Sequence, residues 1–243
     1  MKLAGKIALV TGSAHRVGKS IARSLAEEGC HIVLHYRHSQ AEAMKTREEL
    51  LTLGVEVAAI QADLSRYEDI LKLFQEIDRS LGGLDILVNS AAILKRKAFL
   101  EVDIDDWNET MALNLKGSFF CLQQAALRMR SRGGGAIVNI SDVIGRRPWV
   151  QFPVHSISKA GVEMLTKVAA IALAPEIRVN AIAPGAVLPP DGMQAQQWQD
   201  LAHRSLLKRN GTPDDVAQAV LFLLQNDYIT GETLVVDGGM QWM

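Results

Sequence analysis

The segment Thr11-Gly12-Ser13-Ala14-His15-Arg16-Val17-Gly18 follows the short β-branched run Ile7-Ala8-Leu9-Val10 and opens a stretch with apolar residues at helical spacing. Glycines let a backbone approach a pyrophosphate closely, and the unpaired N–H groups and dipole of a helix N-terminus attract its charge. The same glycines also serve a plain strand-to-helix turn; the strand before and the helix after are what point to phosphate. Roughly 20 residues past such a turn, a carboxylate would take the ribose 2′-hydroxyl of NAD. His35-Tyr36-Arg37-His38-Ser39 stands there instead. Arg37 and the Ser39 hydroxyl, with Arg16 from the glycine turn, offer charge-assisted donors to a 2′-phosphate, so NADP(H) is the expected cofactor.

The elements that must position these residues alternate along the chain. Short β-rich runs at 7–10, 32–36, 55–61, 86–89, 136–140, 177–183 and 233–236 read as strands. Between them 18–28, 40–53, 67–81, 107–130, 153–174 and 213–225 carry helix-favouring residues with helical periodicity. Parallel strands joined by helices cross over right-handedly and bury both sheet faces. The expectation is an α/β fold: a Rossmann-type doubly wound, seven-stranded parallel sheet with helices on both faces, in one domain spanning 1–243. Pro184-Gly185-Ala186-Val187-Leu188-Pro189-Pro190 opens the longest interruption of the pattern, and 188–208 is the expected substrate lid.

Composition narrows the partners. Lys and Arg number 26 against 27 Asp and Glu, with 48% hydrophobic and 22% charged residues. This is an ordinary globular composition, which excludes disorder and gives no electrostatic footprint for nucleic acid or an anionic membrane. Cys30 and Cys121 lie far apart without metal-ligand spacing, so no zinc or other metal and no disulfide is expected, and a reducing cytoplasm fits. The run at 7–10 reads as too short for a signal-peptide core, and the apolar stretch 168–174 falls well short of the roughly 18 residues that span a bilayer.

Further segments recur in one order: the glycine turn, Ala62-Asp63-Leu64-Ser65, Asn89-Ser90-Ala91-Ala92, Asn114, Ser158-Lys159-Ala160, Arg178-Val179-Asn180, Pro184-Gly185, Thr230-Gly231 and Asp237-Gly238-Gly239. Across nearly the whole chain this resembles the short-chain dehydrogenases/reductases. The resemblance implies Asp63, beside Leu64, at the adenine; Asn89, Ser90 and Ala91 along the adenosine ribose; Lys159 at the nicotinamide ribose; and Pro184, Gly185 and Val187 beside the carboxamide. Within the family, Arg16 at the middle glycine, His35-Tyr36 followed by Arg37 and Ser39, and Asp142 are similar to the pteridine reductases. In that group an aspartate replaces the usual serine thirteen residues before the catalytic tyrosine, and Asp142 stands thirteen before position 155. The family's Tyr-x-x-x-Lys centre, however, reads His155-Ser156-Ile157-Ser158-Lys159. A second departure is Leu94, near where the pteridine reductases place an aromatic against the pterin, since an aliphatic side chain offers no such face.

Residues 155 and 159 are i and i+4 on a helix and share one face. The charge of Lys159 opposes an imidazolium at 155, and an ionised Asp142 favours it. The resulting expectation is reduction of a C=O or C=N bond by NADPH, with His155 as proton donor, Asp142 holding it charged, Lys159 on the ribose and Asn114 positioning a water. Two other readings stay open: an NADP(H)-binding protein with weak or no turnover, and a 3-oxoacyl-carrier-protein or general carbonyl reductase. Leu94, Met193 and Trp198 are the expected substrate contacts, with Leu201, Leu206, Trp149 and Phe152 completing an apolar pocket. His31 and His203 read as surface residues. By resemblance the chain forms a homotetramer or homodimer through the helices at 107–130 and 153–174.

Overall fold

The computed structural model describes residues 1–190 and 192–243. Its strands are β1 Ile7–Val10, β2 His31–Tyr36, β3 Val57–Gln61, β4 Ile86–Asn89, β5 Gly135–Ile140, β6 Ile177–Pro184 and β7 Thr233–Val236. All pair in parallel as one seven-stranded sheet in the order β3-β2-β1-β4-β5-β6-β7. The helices are α1 Arg16–Glu27, α2 Gln40–Leu51, α3 Tyr67–Leu81, α4 Ile104–Met111, α5 Ser118–Ser131, α6 Pro153–Leu173, α7 Ala195–His203 and α8 Pro213–Gln225.

Alternation along each strand sends successive side chains to opposite faces. Ala8 and Val10 of β1 therefore join one core with Ile21 and Leu25 of α1 and Val220 and Leu224 of α8. Ile7 and Leu9 join the other, with Leu73 and Phe74 of α3, Ala125 of α5 and Leu165 of α6. Helices on both faces are what the alternating sequence pattern requires of a parallel sheet.

Several boundaries differ from the sequence reading. The third strand starts at Val57 rather than 55, because Val55 and Glu56 only lead into the ladder with β2. The helix expected at 107–130 begins at Ile104, where Asp103 Oδ1 accepts the Asp106 N–H at 2.8 Å, and it widens into a π turn over Ala112–Gly117 before α5. The stretch expected to be an irregular lid contains α7; its first turn has few apolar residues to mark a helical face. Asp191, within that expected lid, lies outside the described residues.

Candidate active site

β1 leads to β2 and β3 on one side of the sheet and β4 starts the other, so a crevice opens beyond the carboxyl ends of β1 and β4 where the order reverses. The glycine turn lines it. Gly12 has φ +66° and lies so near β4 that an added Cβ would sit 3.0 Å from Ala91 Cα. A Cβ on Gly18 would meet Gly12 O at 2.4 Å, so the helix can start this close to the strand only with glycine there. Arg16 takes φ +56°, a left-handed conformation that costs a non-glycine residue about 1 kcal/mol. Thr11 Oγ1 accepts the N–H groups of Ser90 and Ala91 at 2.9 and 3.0 Å and fixes the turn to the chain after β4.

The recess so formed has a volume of about 380 Å³. Gly12, His15, Arg16, Val17 and Gly18 line one side of it; Tyr36, Arg37, His38 and Ser39 line another; Leu64, Ser90 and Ala91 complete it. Ser39 caps α2 from outside with its hydroxyl unengaged by the helix, so that helix N-terminus also faces the region of Arg37 and His38. This is a cradle shaped by missing side chains and edged with cations, which fits a phosphate-bearing dinucleotide.

His35, buried at the end of β2, stands in the sequence reading only as part of the segment that replaces the NAD carboxylate. The Gly12 N–H donates to its Nδ1 at 3.0 Å and Nε2 lies 3.1 Å from Ala62 O, an arrangement that needs a neutral ring protonated at Nε2. Burial pulls its pKa from 6.5 down to about 4, against the opposing effects of Ala62 O and the Asp63 charge. Between those values the unfolded chain takes up a proton that the folded chain refuses. The stabilisation is therefore complete above 6.5 and is lost as pH falls through 4, by about 3 kcal/mol in all. Urea unfolding at pH 7.5 and 5.0 is expected to show about 2 kcal/mol more loss in wild type than in His35→Asn. The asparagine retains an acceptor for Gly12 but does not titrate, and equal losses in both proteins would remove this role.

Several residues expected at the cofactor face elsewhere. Ser13 is buried, its hydroxyl donating to Val10 O at 2.7 Å. Asn89 is also buried: its Nδ2 donates to Asn139 Oδ1 at 2.9 Å and Ser118 O at 3.2 Å, and Asn139 passes the chain on to Thr166 of α6 at 2.9 Å. It joins β4 to β5 and α5 rather than lining the recess. Asp63 pairs with Arg37 at 2.8 Å; burial pushes its carboxyl up, but hydrogen bonds from Ser65 and the Arg37 charge outweigh this and hold it below the usual range. Arg16 does not gather with Arg37 on one point, since its Nη2 donates to Pro189 O at 2.9 Å across the crevice. Pro184 ends β6 in the core, and Gly185 and Val187 line a separate cavity with Leu206 and Gly211.

The second cluster lies at the ends of β4 and β5 against α6. The π turn carries Asn114 inward, buried, and Ile93 N–H donates to its Oδ1 at 2.9 Å. That contact fixes the amide with Nδ2 as donor, and Ile93 O at 3.0 Å and Ser158 Oγ at 3.1 Å take its two hydrogens. Where a bound water was expected, Asn114 is thus committed to protein partners. His155 Nδ1 lies 2.9 Å from Ile93 O and 3.2 Å from Asn114 Nδ2, so its proton goes to the carbonyl. Nε2, sealed from solvent, then faces Asp142 Oδ2 at 3.5 Å, an ion-pair distance rather than a hydrogen bond. A bare lone pair against a carboxylate is repulsive, so the contact is favourable only with a proton on one of the two atoms. Asp142 Oδ1 accepts the Ile144 N–H at 3.0 Å, which leaves Oδ2 to the histidine. Lys159 is buried one turn along α6 and its Nζ donates to Ile140 O at 2.7 Å. Burial pushes its ammonium down to about 8, with the Asp142 charge opposing. Ile93 and Ser158 were not legible as members of this cluster, because one contributes backbone and the other an ordinary helical serine.

Beside Asp142, Val143 and Phe152 form the inner wall of a cavity of about 800 Å³. Trp149, 6.2 Å from Phe152 between ring centres, and Met193 and Leu201 from the segment after β6 also line it. Of the expected substrate contacts only Met193 does so. Trp198 turns its backbone to Asn210, Leu94 is 41% exposed outside the cavity, and Leu206 belongs to the cavity of Val187. His203 is exposed, as the sequence reading has it, and also lies in the lining. Among the described residues no cluster of three His, Cys, Asp or Glu is placed to hold a metal, and no helix is long and apolar enough to cross a membrane.

Comparison with known proteins agrees with this architecture. A family model described as enoyl-(acyl carrier protein) reductase matches residues 12–241. A protein named 3-oxoacyl-[acyl-carrier-protein] reductase FabG from Staphylococcus epidermidis is 37% identical over 97% of this chain and 98% of its own. Another, named 3beta-hydroxysteroid dehydrogenase 1, from Eggerthella lenta, is 39% identical over 98% of this chain and 94% of its own. Among solved structures, a protein described as a short-chain alcohol dehydrogenase from Sinorhizobium meliloti 1021 matches with a TM-score of 0.93 at 33% identity, covering 98% of this chain and 96% of that one.

Proposed function

Because the chain belongs to the short-chain dehydrogenases/reductases, a family of oxidoreductases, we propose that it reduces a C=O or C=N bond of a small substrate with NADPH, in the manner of a pteridine reductase whose acid is histidine. The observation that carries this reading is the sealed His155 Nε2 facing Asp142 Oδ2 at 3.5 Å, with Nδ1 committed to Ile93 O. NADPH, when bound in the recess of the glycine turn, supplies the hydride. Gly12 and Gly18 would give its phosphates room, and Arg37, His38 and Ser39 with the α2 N-terminus would hold a 2′-phosphate. Lys159 keeps two N–H donors beyond the one on Ile140 O, which would serve the ribose hydroxyls. Asn114 and Ile93 orient the imidazole. The proton leaves Nε2 through Asp142, whose side chain is 31% exposed while that of His155 is 5% exposed. The carboxyl then protonates the reduced oxygen or nitrogen, so one proton passes from imidazolium to product.

A 3-oxoacyl thioester is the second reading of the substrate, favoured by the relatives of that name at 37% identity. The same reading puts the protein in the cytoplasm as a homotetramer or homodimer of single-domain subunits with residues 188–208 as lid. Exposed Met164, Val168 and Ile171 on α6 offer the apolar face for such a contact. The test is NADPH and NADH oxidation with a dihydropterin, a quinone and a 3-oxoacyl thioester in parallel. Turnover of any of the three with a preference for NADPH supports the reductase; tight NADPH binding with no turnover of any of them favours the cofactor-binding protein. Arg37→Ala is expected to weaken NADPH about 10- to 100-fold, as loss of a charge-assisted contact does, and to leave NADH unchanged. Equal NADPH and NADH affinities in wild type would overturn the cofactor assignment.

A further inference from the structure

The cavity against Val143 and Phe152 is unequally charged. Arg96, Arg147 and Arg204 all line it, from the segment after β4, from the turn after β5 and from the end of α7. The one acidic side chain in the lining among the described residues is Asp200, and its Oδ1 accepts from Gln196 at 3.1 Å. Among the described residues, no salt bridge reaches any of the three arginines. Their sequence neighbours are paired. Lys95 and Lys97 both reach Asp106 of α4, at 3.3 and 3.0 Å, while Arg96 between them turns to the cavity. Arg146 grips Glu163 of α6 at 2.8 Å, while Arg147 beside it has, among the described residues, only a backbone partner, Met240 O at 3.0 Å, which steadies its guanidinium at the wall. Three separate segments thus bring guanidinium groups that have no salt bridge among the described residues to one recess that also carries the tilted Trp149–Phe152 pair.

We propose that the substrate is a small anionic molecule with a planar ring or chain, its carboxylate or phosphate held at the outer rim by Arg96, Arg147 and Arg204 and its reducible carbon directed inward to Asp142. Guanidinium forks match both anions, and a cavity of about 800 Å³ has room for a whole ligand of that kind. This deepens the reductase reading, resting on it only for the direction of the reducible carbon.

The test is binding rather than turnover. With NADPH present, calorimetry compares 4-oxo-4-phenylbutyrate, its methyl ester, phenyl phosphate and an acidic acyl carrier protein on wild type, Arg204→Ala, Arg96→Ala/Arg204→Ala and the remote surface variant Arg79→Ala. The keto acid or the phosphate is expected to bind at least tenfold tighter than the ester, and the tighter of the two identifies the anion. The double variant is expected to lose that advantage, and Arg79→Ala to retain it. Anions that bind no tighter than the ester, or bind wild type and double variant alike, overturn the proposal. So does a double variant that loses affinity only for an acidic acyl carrier protein, which would make the arginines a protein-docking rim. NADPH oxidation read in the same samples separates the two claims: anions that bind through the arginines without any turnover count against the reductase alone.

Discussion

Replacing His155 by alanine is expected to lower NADPH-dependent turnover by about 10²- to 10³-fold, the range a positioned general acid contributes. The residue is enclosed on every polar side by groups that serve it. Ile93 O holds Nδ1, Asn114 braces both, and Asp142 Oδ2 faces Nε2. An alanine leaves Asp142 with no proton supply behind it and leaves Asn114 and Ile93 with nothing to orient. NADPH affinity is expected to change less than threefold, because the recess of the glycine turn is built by other segments. Asp142→Asn is expected to fall nearly as far, since the amide cannot relay a proton from Nε2 although it can still cap the turn at Ile144. Retention of more than half the wild-type rate by His155→Ala would place the acid elsewhere and leave the histidine as a filler of the tyrosine's space.

Gly18→Ala is the second large effect. Its methyl group would lie 2.4 Å from Gly12 O and 2.9 Å from Ser13 Cα, both backbone atoms that no rotamer change can move aside. Gly12 cannot yield, because its N–H is held by His35 and its backbone packs on Ala91. The start of α1 must therefore swing away from β1. Overpacking of this kind costs about 1–3 kcal/mol of stability. Displacing the turn by even part of an ångström removes the close backbone approach on which phosphate binding depends, and NADPH affinity is expected to drop at least ~100-fold, about 2.8 kcal/mol. Thermal unfolding and fluorescence titration measure the two. A variant with wild-type NADPH affinity would show that the recess is not the cofactor site.

What could be read from the residues was what depends on local pattern. The β-branched runs and helical periodicities located all seven strands, because in a parallel sheet each strand is buried on both faces and shows as an apolar run. The glycine turn was legible because its glycines, strand and helix are contiguous. Helix α7 was not, since Gln196, Gln197 and Gln199 give its exposed side no charge pattern and only Leu201 is buried. The π turn at Ala112–Gly117 has no sequence signature, yet it is what carries Asn114 to Ile93 and His155. Residues that act through partners distant in sequence were the least legible. Asn89 read as a ribose contact, but its amide spans to Asn139 fifty residues away. His35 read as part of a nucleotide-facing segment, but its ring holds Gly12 from behind. The arginines of the cavity come from three segments that no local pattern links.

The central claim is that the proton of the reaction comes from His155 and leaves through Asp142. Steady-state NADPH oxidation from pH 5 to 9 by wild type and His155→Ala tests it most directly. Wild-type turnover is expected to exceed that of His155→Ala by about 10²- to 10³-fold from pH 5 to 7, and both rates are expected to fall through about 8, where Lys159 loses its charge. A His155→Ala rate within twofold of wild type over that range would contradict the account.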